Sequence, residues 1–106
     1  TSTPMGDVAE LKAIKSVFGS NAKAMISSTK AITGHGLSLA GVMEAAFCAL
    51  AMKEGFTPGS AHISELDPEA EGLNIITKTQ MTAPKTSLSL SSGFGGANVA
   101  IVLQKA

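Results

Sequence analysis

The sequence predicts a mixed α/β fold in which a sheet is covered by helices. Three observations support this prediction. Apolar residues recur at helical spacing near the start of the chain, an almost wholly apolar segment occupies residues 39–53, and three strand-like segments fill the last third. The chain has 106 residues, is 44% apolar and lacks Trp and Tyr. This composition favours a closely packed core of small residues over an aromatic binding surface.

The first predicted helix begins near Asp7. Apolar residues from Val8 to Phe18 follow helical spacing, and Asp7 with Glu10 three residues later resembles a capping box. Gly19 is a typical residue at which a helix ends. The sequence therefore predicts one helix that ends before Gly19.

The middle of the chain predicts a buried strand and a buried helix. Residues 23–28 are short and apolar, as in a buried strand, and lead into a loop at Lys30–His35. From Leu39 to Lys53 the chain is apolar nearly all round, which predicts a central helix covered on most sides. Gly55 is expected to end this helix, and the Pro-containing, acidic residues 56–72 are expected to form a surface excursion.

Three strands are predicted after this excursion, at residues 73–79, 85–92 and 98–104. The last two are separated by GFGGA, which predicts a hairpin with an unusual turn. Gly93, Phe94 and Gly95 lie in this turn. A tight turn is the ordinary role of such a glycine cluster. The alternative is a turn whose backbone N–H groups face a ligand, with Phe94 as a movable wall.

Charge and cysteine content exclude several classes of protein. Eight acidic and eight basic side chains cancel without any run of like charge, so neither nucleic acid nor a membrane is indicated as a partner. The single cysteine, Cys48, favours a reducing compartment, and its apolar neighbours predict a buried, inert thiol. No pair of Cys or His has metal-ligand spacing, and His62 is expected to be a solvated loop residue.

Lys30 and His35 are the strongest candidates for chemistry. They lie five residues apart, and Gly34 and Gly36 beside the histidine leave room for its imidazole ring. The positive end of a helix dipole disfavours a protonated ring, and a neutral His can donate a hydrogen bond to a developing oxyanion. A surface Lys and a helix-capping His are the alternative, and these residues alone leave both possibilities open.

Four segments, taken in chain order, resemble the C-terminal part of the β-ketoacyl-acyl-carrier-protein synthases, condensing enzymes of the thiolase-like fold. TSTPMGDVAEL resembles the stretch that follows the first catalytic His of the family. STKAITGHGLSLAG resembles the segment with the catalytic Lys and the second catalytic His. LDPEAEGLNII resembles the loop before a core strand, and GFGGANVAIVL resembles the final hairpin. Each motif is short, but four of them in register are specific.

This resemblance implies a decarboxylating Claisen condensation that extends an acyl chain by two carbons in fatty-acid or polyketide biosynthesis. An acyl group on an active-site Cys is attacked by the enolate released from malonyl-acyl-carrier protein. The resemblance implies that His35 is the second catalytic His and Lys30 the catalytic Lys before it. It gives Asp7 and Glu10 supporting roles, in which they hold the Lys and its loop.

The resemblance also implies which residues surround the substrate. Gly93, Phe94 and Gly95 match the gate and oxyanion-hole turn, while Thr1 and Thr3 match the threonines that contact the phosphopantetheine arm. The nucleophilic Cys and the first catalytic His belong upstream. Residues 1–106 are therefore expected to be an incomplete C-terminal part of a ketosynthase domain, inactive alone.

The expected partners are an acyl carrier protein with an acyl or malonyl thioester, the remaining N-terminal part of the synthase, and a second copy in a homodimer. No cofactor is implied, and the expected location is the cytoplasm or an organelle matrix. Residues 90–92 depart from the family, with Leu-Ser-Ser in place of the usual Asn-Ser-Phe. A non-catalytic partner resembling a chain-length factor is the alternative, although retention of Lys30, His35, Asp7 and Glu10 favours the enzyme.

Overall fold

The computed structural model describes every residue from Thr1 to Ala106 and contains three α-helices, four strands and two 3₁₀ turns at Leu37–Leu39 and Pro68–Ala70. In chain order the α-helices and strands are α1 (Pro4–Phe18), β1 (Ala22–Ile26), α2 (Lys30–Thr33), α3 (Ala40–Glu54), β2 (Leu73–Ile75), β3 (Thr86–Ser92) and β4 (Asn98–Gln104). This order of elements agrees with the predicted mixed α/β class. None of the helices combines the length and the apolar character needed to cross a membrane.

Helix α1 begins three residues before the predicted start, because its N-cap is Thr3. The Thr3 hydroxyl accepts a hydrogen bond from the Gly6 N–H at 3.1 Å, and Pro4 occupies the first helical position, where its missing N–H costs nothing. The predicted capping box is therefore wrong, since Asp7 lies inside the first turn. The predicted end is confirmed, because Gly19 closes the helix with φ +80°.

The strands form two separate pairs. β1 and β2 are parallel, with Ala22 opposite Leu73 and Ile26 opposite Ile75. β3 and β4 form the expected antiparallel hairpin, in register from Thr86 opposite Gln104 to Ser92 opposite Asn98. Strand β2 is shorter than the predicted segment 73–79.

The segment at residues 56–72 is only partly the expected surface excursion. Ser60 and Ala70 are buried. Ser60 lies at the start of the segment, which pairs with the chain that follows β2. The Ser60 N–H donates to the carbonyl oxygen of Ile76 at 2.8 Å, and Thr57 forms an antiparallel bridge with Gln80. Part of this segment thus extends the β1–β2 layer.

Helix α3 confirms the predicted element and its end at Gly55, which has a left-handed backbone with φ +83°. The predicted covering on most sides is wrong for this chain alone. Only Ala40, Ala51 and Met52 of the helix are buried, whereas Val42 is 71% exposed. The covered side faces β3, where the Ser91 hydroxyl would lie 3.1 Å from a Cβ at Gly41. Leu50 of the helix is also half-exposed.

Gly72, just before β2, is expected to tolerate no side chain. Its φ is +79°, and an added Cβ would lie 2.0 Å from the carbonyl oxygen of Ser20. Gly19 has the similar φ of +80° but open space around it. Gly72→Ala combines backbone strain with a clash and should lower the free energy of unfolding by about 2–4 kcal/mol, against about 1 kcal/mol for Gly19→Ala. Thermal denaturation of the intact protein with each change measures the difference, and equal losses would contradict the clash.

Candidate active site

Lys30 forms an ion pair that joins α2 to α3. The predicted loop at Lys30–His35 contains a single helical turn, α2, and Lys30 is its first residue. The Lys30 ammonium contacts the carboxylate of Glu44 on α3, and the two side chains are only 15% and 16% exposed. The pair is therefore largely withdrawn from water, and neither charge can be removed without leaving the other uncompensated.

Asp7 and Glu10, the expected supporting residues, contact Thr1 rather than Lys30. The Thr1 hydroxyl and the Ser2 N–H each donate to Asp7 Oδ1 at 2.9 Å, and the backbone nitrogen of Thr1 donates to Glu10 Oε2 at 2.7 Å. The two carboxylates thus hold the segment before α1 in place.

Gly6 allows Thr1 and Thr3 to lie together over the first turn of α1. A Cβ at Gly6 would lie 2.0 Å from the Thr1 hydroxyl oxygen and 2.6 Å from that of Thr3. The two hydroxyl oxygens are 3.3 Å apart. Only glycine fits at this position, and the result is a pair of hydroxyl groups beside the Asp7 carboxylate.

A cleft of about 460 Å³ separates the start of α1 from α2. Residues that line it include Thr3, Asp7, Ser28, Lys30, Ser60 and Ile63. The cleft therefore brings together three of the expected site residues: Thr3, expected to contact the substrate, Asp7, expected to support the site, and Lys30, expected to be catalytic. His35 and Phe94 do not line it.

His35 follows α2, which ends at Gly34 with φ +76°. The backbone N–H of Leu37 donates to Nδ1 of His35 at 3.0 Å. Leu37 adopts a left-handed backbone with φ +51°, which is rare for a bulky side chain. Because Nδ1 accepts a hydrogen bond, a neutral ring carries its proton on Nε2. The exposed ring is thus arranged as a hydrogen-bond donor.

The GFGG turn lies at the same end of α3 as the His35 segment. It follows β3 directly, and Ser91 near the end of β3 lies against Gly41 in the first turn of α3. The turn is closed by a hydrogen bond of 2.7 Å from the Gly93 N–H to the Ala97 carbonyl. The side chain of Phe94 is 99% exposed, so this chain alone provides no surface for it to close against.

Cys48 lies one helical turn after Glu44 and is half-buried. Burial and the nearby Glu44 carboxylate raise the pKa of the thiol above its ordinary 9.0. A protonated thiol is a poor nucleophile, which agrees with the predicted inert role. His62, the other histidine, is exposed in a loop, as predicted.

Sequence reasoning missed two residues at this site, Glu44 and Ser60. Glu44 was recognisable as the single charge inside the apolar part of α3, because a charged side chain in an apolar segment is uncommon unless it is paired. Ser60 gave no signal, because it lies among the turn-forming residues 56–72. Its partner Ser28, which donates its N–H to the Ser60 hydroxyl at 3.0 Å, is distant in the sequence.

Comparison with known families gives a match over residues 1–64 to the family described as "Beta-ketoacyl synthase, C-terminal domain". The chain belongs to this family. The resemblance seen in the sequence and the thiolase-like fold it implied are thereby confirmed. The match covers α1 through α3 and so includes Lys30, His35 and Glu44.

Relatives of this ketosynthase chain align along almost all of it. It is 51% identical over 105 residues to 3-oxoacyl-[acyl-carrier-protein] synthase 1 of Escherichia coli (strain K12). Identity is 48% over 106 residues with the synthase 1 of Haemophilus influenzae and 43% over 107 residues with the synthase 2 of Staphylococcus aureus (strain COL). Each alignment covers 99% of this chain but 26% of the relative, so the chain spans about a quarter of the length of these synthases.

The environment of Cys48 gives a testable titration. The rate of its alkylation by iodoacetamide depends on the thiolate, so the midpoint of the rate–pH profile should lie above 9.0. Glu44→Gln removes the negative charge that adds to this shift and should move the midpoint down. Peptide mass spectrometry of the intact protein isolates Cys48 from other thiols, and a midpoint at or below 9.0 in the unaltered protein would contradict the assignment.

Proposed function

We propose that the protein containing this chain is a β-ketoacyl-acyl-carrier-protein synthase that extends an acyl chain by two carbons. The substrates would be an enzyme-bound acyl thioester and malonyl-acyl-carrier protein. Family membership and the relatives named above, which are all 3-oxoacyl-[acyl-carrier-protein] synthases, support this proposal. Nothing observed favours a non-catalytic partner subunit.

The orientation of the His35 ring carries the proposal. With Nδ1 occupied by the Leu37 N–H, Nε2 is the only ring atom that can donate a hydrogen bond outward. When a malonyl thioester loses CO₂, the electron pair of the broken C–C bond moves to the thioester carbonyl and forms an enolate. A neutral donor at Nε2 stabilises that oxygen as its negative charge develops.

The condensation then transfers the electron pair of the enolate to the acyl carbonyl carbon. A new C–C bond forms, the tetrahedral oxyanion collapses, and the active-site thiolate leaves. In this proposal the GFGG turn, with Gly93, Phe94 and Gly95, gates the acyl group and supplies the backbone N–H of Phe94 to that oxyanion. The location of the turn beside the start of α3 supports this role.

Lys30 supplies a positive charge to the wall of the cleft while Glu44 holds its position. Thr1 and Thr3 would contact the phosphopantetheine arm of the carrier protein. Their hydroxyls lie together at the start of α1, and Thr3 lines the cleft. Asp7 and Glu10 would support this contact by holding Thr1.

The upstream part of the synthase would supply the nucleophilic Cys and the first catalytic His. Residues 1–106 would then be the C-terminal part of one ketosynthase domain. The exposed apolar residues of α3, Val42 and Leu50 among them, support packing against further protein. We further propose that the intact synthase is a homodimer and that it is located in the cytoplasm.

His35→Ala in the intact synthase tests the proposed function. Loss of the Nε2 donor should lower malonyl-acyl-carrier-protein decarboxylation and condensation by roughly 100- to 1000-fold, the usual effect of removing one oxyanion donor. Transfer of an acyl group to the active-site Cys should continue, because that step does not use the enolate. Release of ¹⁴CO₂ and acyl-enzyme formation, measured by intact mass, report the two steps separately.

His62→Ala is the matched control, because it removes the other exposed imidazole of the chain, which does not line the cleft although its neighbours Ala61 and Ile63 do. It should leave both steps unchanged. Condensation at a near-normal rate in the His35→Ala enzyme would rule out His35 as the donor.

A further inference from the structure

The chain contains two buried polar side chains, Ser60 and Ser89, each 7% exposed. Ser60 lies in a segment without regular secondary structure, yet hydrogen bonds hold it on two sides. Its N–H donates to the Ile76 carbonyl at 2.8 Å, and its hydroxyl oxygen accepts the N–H of Ser28 at 3.0 Å. A buried hydroxyl with a defined partner is a specific structural element rather than a solvated loop side chain.

Ser28 extends this arrangement to Lys30. The Ser28 hydroxyl oxygen accepts the backbone N–H of Lys30 at 3.3 Å. Thr29, which occupies the N-cap position of α2, forms no side-chain hydrogen bond to the helix. The start of α2 is therefore held through Ser28, and Ser28 in turn through Ser60.

The short length of α2 makes this support important. Four residues form a single turn, which has no stability of its own in water. Lys30 begins that turn at the end that Ser28 holds, so the position of Lys30 depends on how the turn is held. Ser60 and Lys30 both line the cleft.

We propose that Ser60 is a positioning residue of the condensation reaction, which acts by holding the start of α2 and thereby the Lys30 ammonium at the cleft. This inference rests on the proposed function, since Lys30 must contribute to the rate for Ser60 to act through it. Ser60 touches neither reacting carbon in this role.

The test is a double-mutant cycle in the intact synthase. Ser60→Ala should lower kcat for condensation by about five- to tenfold, as expected when one ordinary hydrogen bond that orients a functional group is lost. KM for malonyl-acyl-carrier protein should change little. In a Lys30→Ala background, Ser60→Ala should cause no further loss of rate, because the residue that it positions is absent.

Two further variants separate positioning from general stability. Ser89→Ala removes the other buried hydroxyl. Ser89 lies on the same face of β3 as Ser91, the face toward α3, and its loss should leave kcat unchanged. Ser60→Cys keeps the size of the side chain but offers a much weaker acceptor, and should show the same non-additive loss even if Ser60→Ala proves too unstable to assay. Melting temperatures are recorded for all variants.

Independent, additive losses from Ser60 and Lys30, or equal effects of Ser60→Ala and Ser89→Ala, would overturn the positioning role and leave the proposed function standing. A full rate in Lys30→Ala would overturn both the role of Lys30 and that of Ser60. A loss with Lys30→Ala alone and none with either Ser60 variant would overturn the Ser60 inference only.

Discussion

The ion pair between Lys30 and Glu44 is the constraint on which the site depends. Both side chains are about five-sixths withdrawn from water, so each charge incurs a desolvation cost that only the other offsets. A four-residue turn cannot hold an orientation by itself, but a paired charge on its first residue ties it to a long helix. His35 lies a few residues further on and is oriented by the Leu37 N–H. The Lys30–Glu44 ion pair thus fixes the position of α2 against α3, in a region where few apolar side chains are buried.

Glycine and small side chains set the rest of the arrangement. Gly6 lets two threonines lie over the start of α1, and Gly41 lets β3 approach the start of α3 through Ser91. At both places a neighbouring side chain lies where a Cβ would otherwise be. Thr3 caps α1 and Lys30 begins α2, so these site residues lie at the beginnings of helices, where backbone N–H groups and dipoles favour developing negative charge.

The ends of the helices could be predicted from local sequence. The contacts between distant residues could not, because they depend on how the elements pack together. Gly19 and Gly55 ended their helices as expected, since a left-handed residue is a local requirement. The start of α1 was mispredicted because Asp7 and Glu10 imitate a capping box that Thr3 and Pro4 make redundant. The partner of Lys30 was missed because it lies on another element, and the resemblance directed attention to Asp7 and Glu10. Ser60 was missed because its hydrogen bond joins residues distant in the chain.

The left-handed backbone of Leu37 determines when the free energy needed to orient the His35 ring is spent. Such a conformation costs of order 1 kcal/mol or more for a non-glycine residue, and here it is associated with the hydrogen bond that orients the imidazole. That cost is incurred once, during folding. The ring then has little reorganisation left to undergo when a substrate arrives, so the tautomer and direction of its donor are properties of the resting protein rather than of the complex.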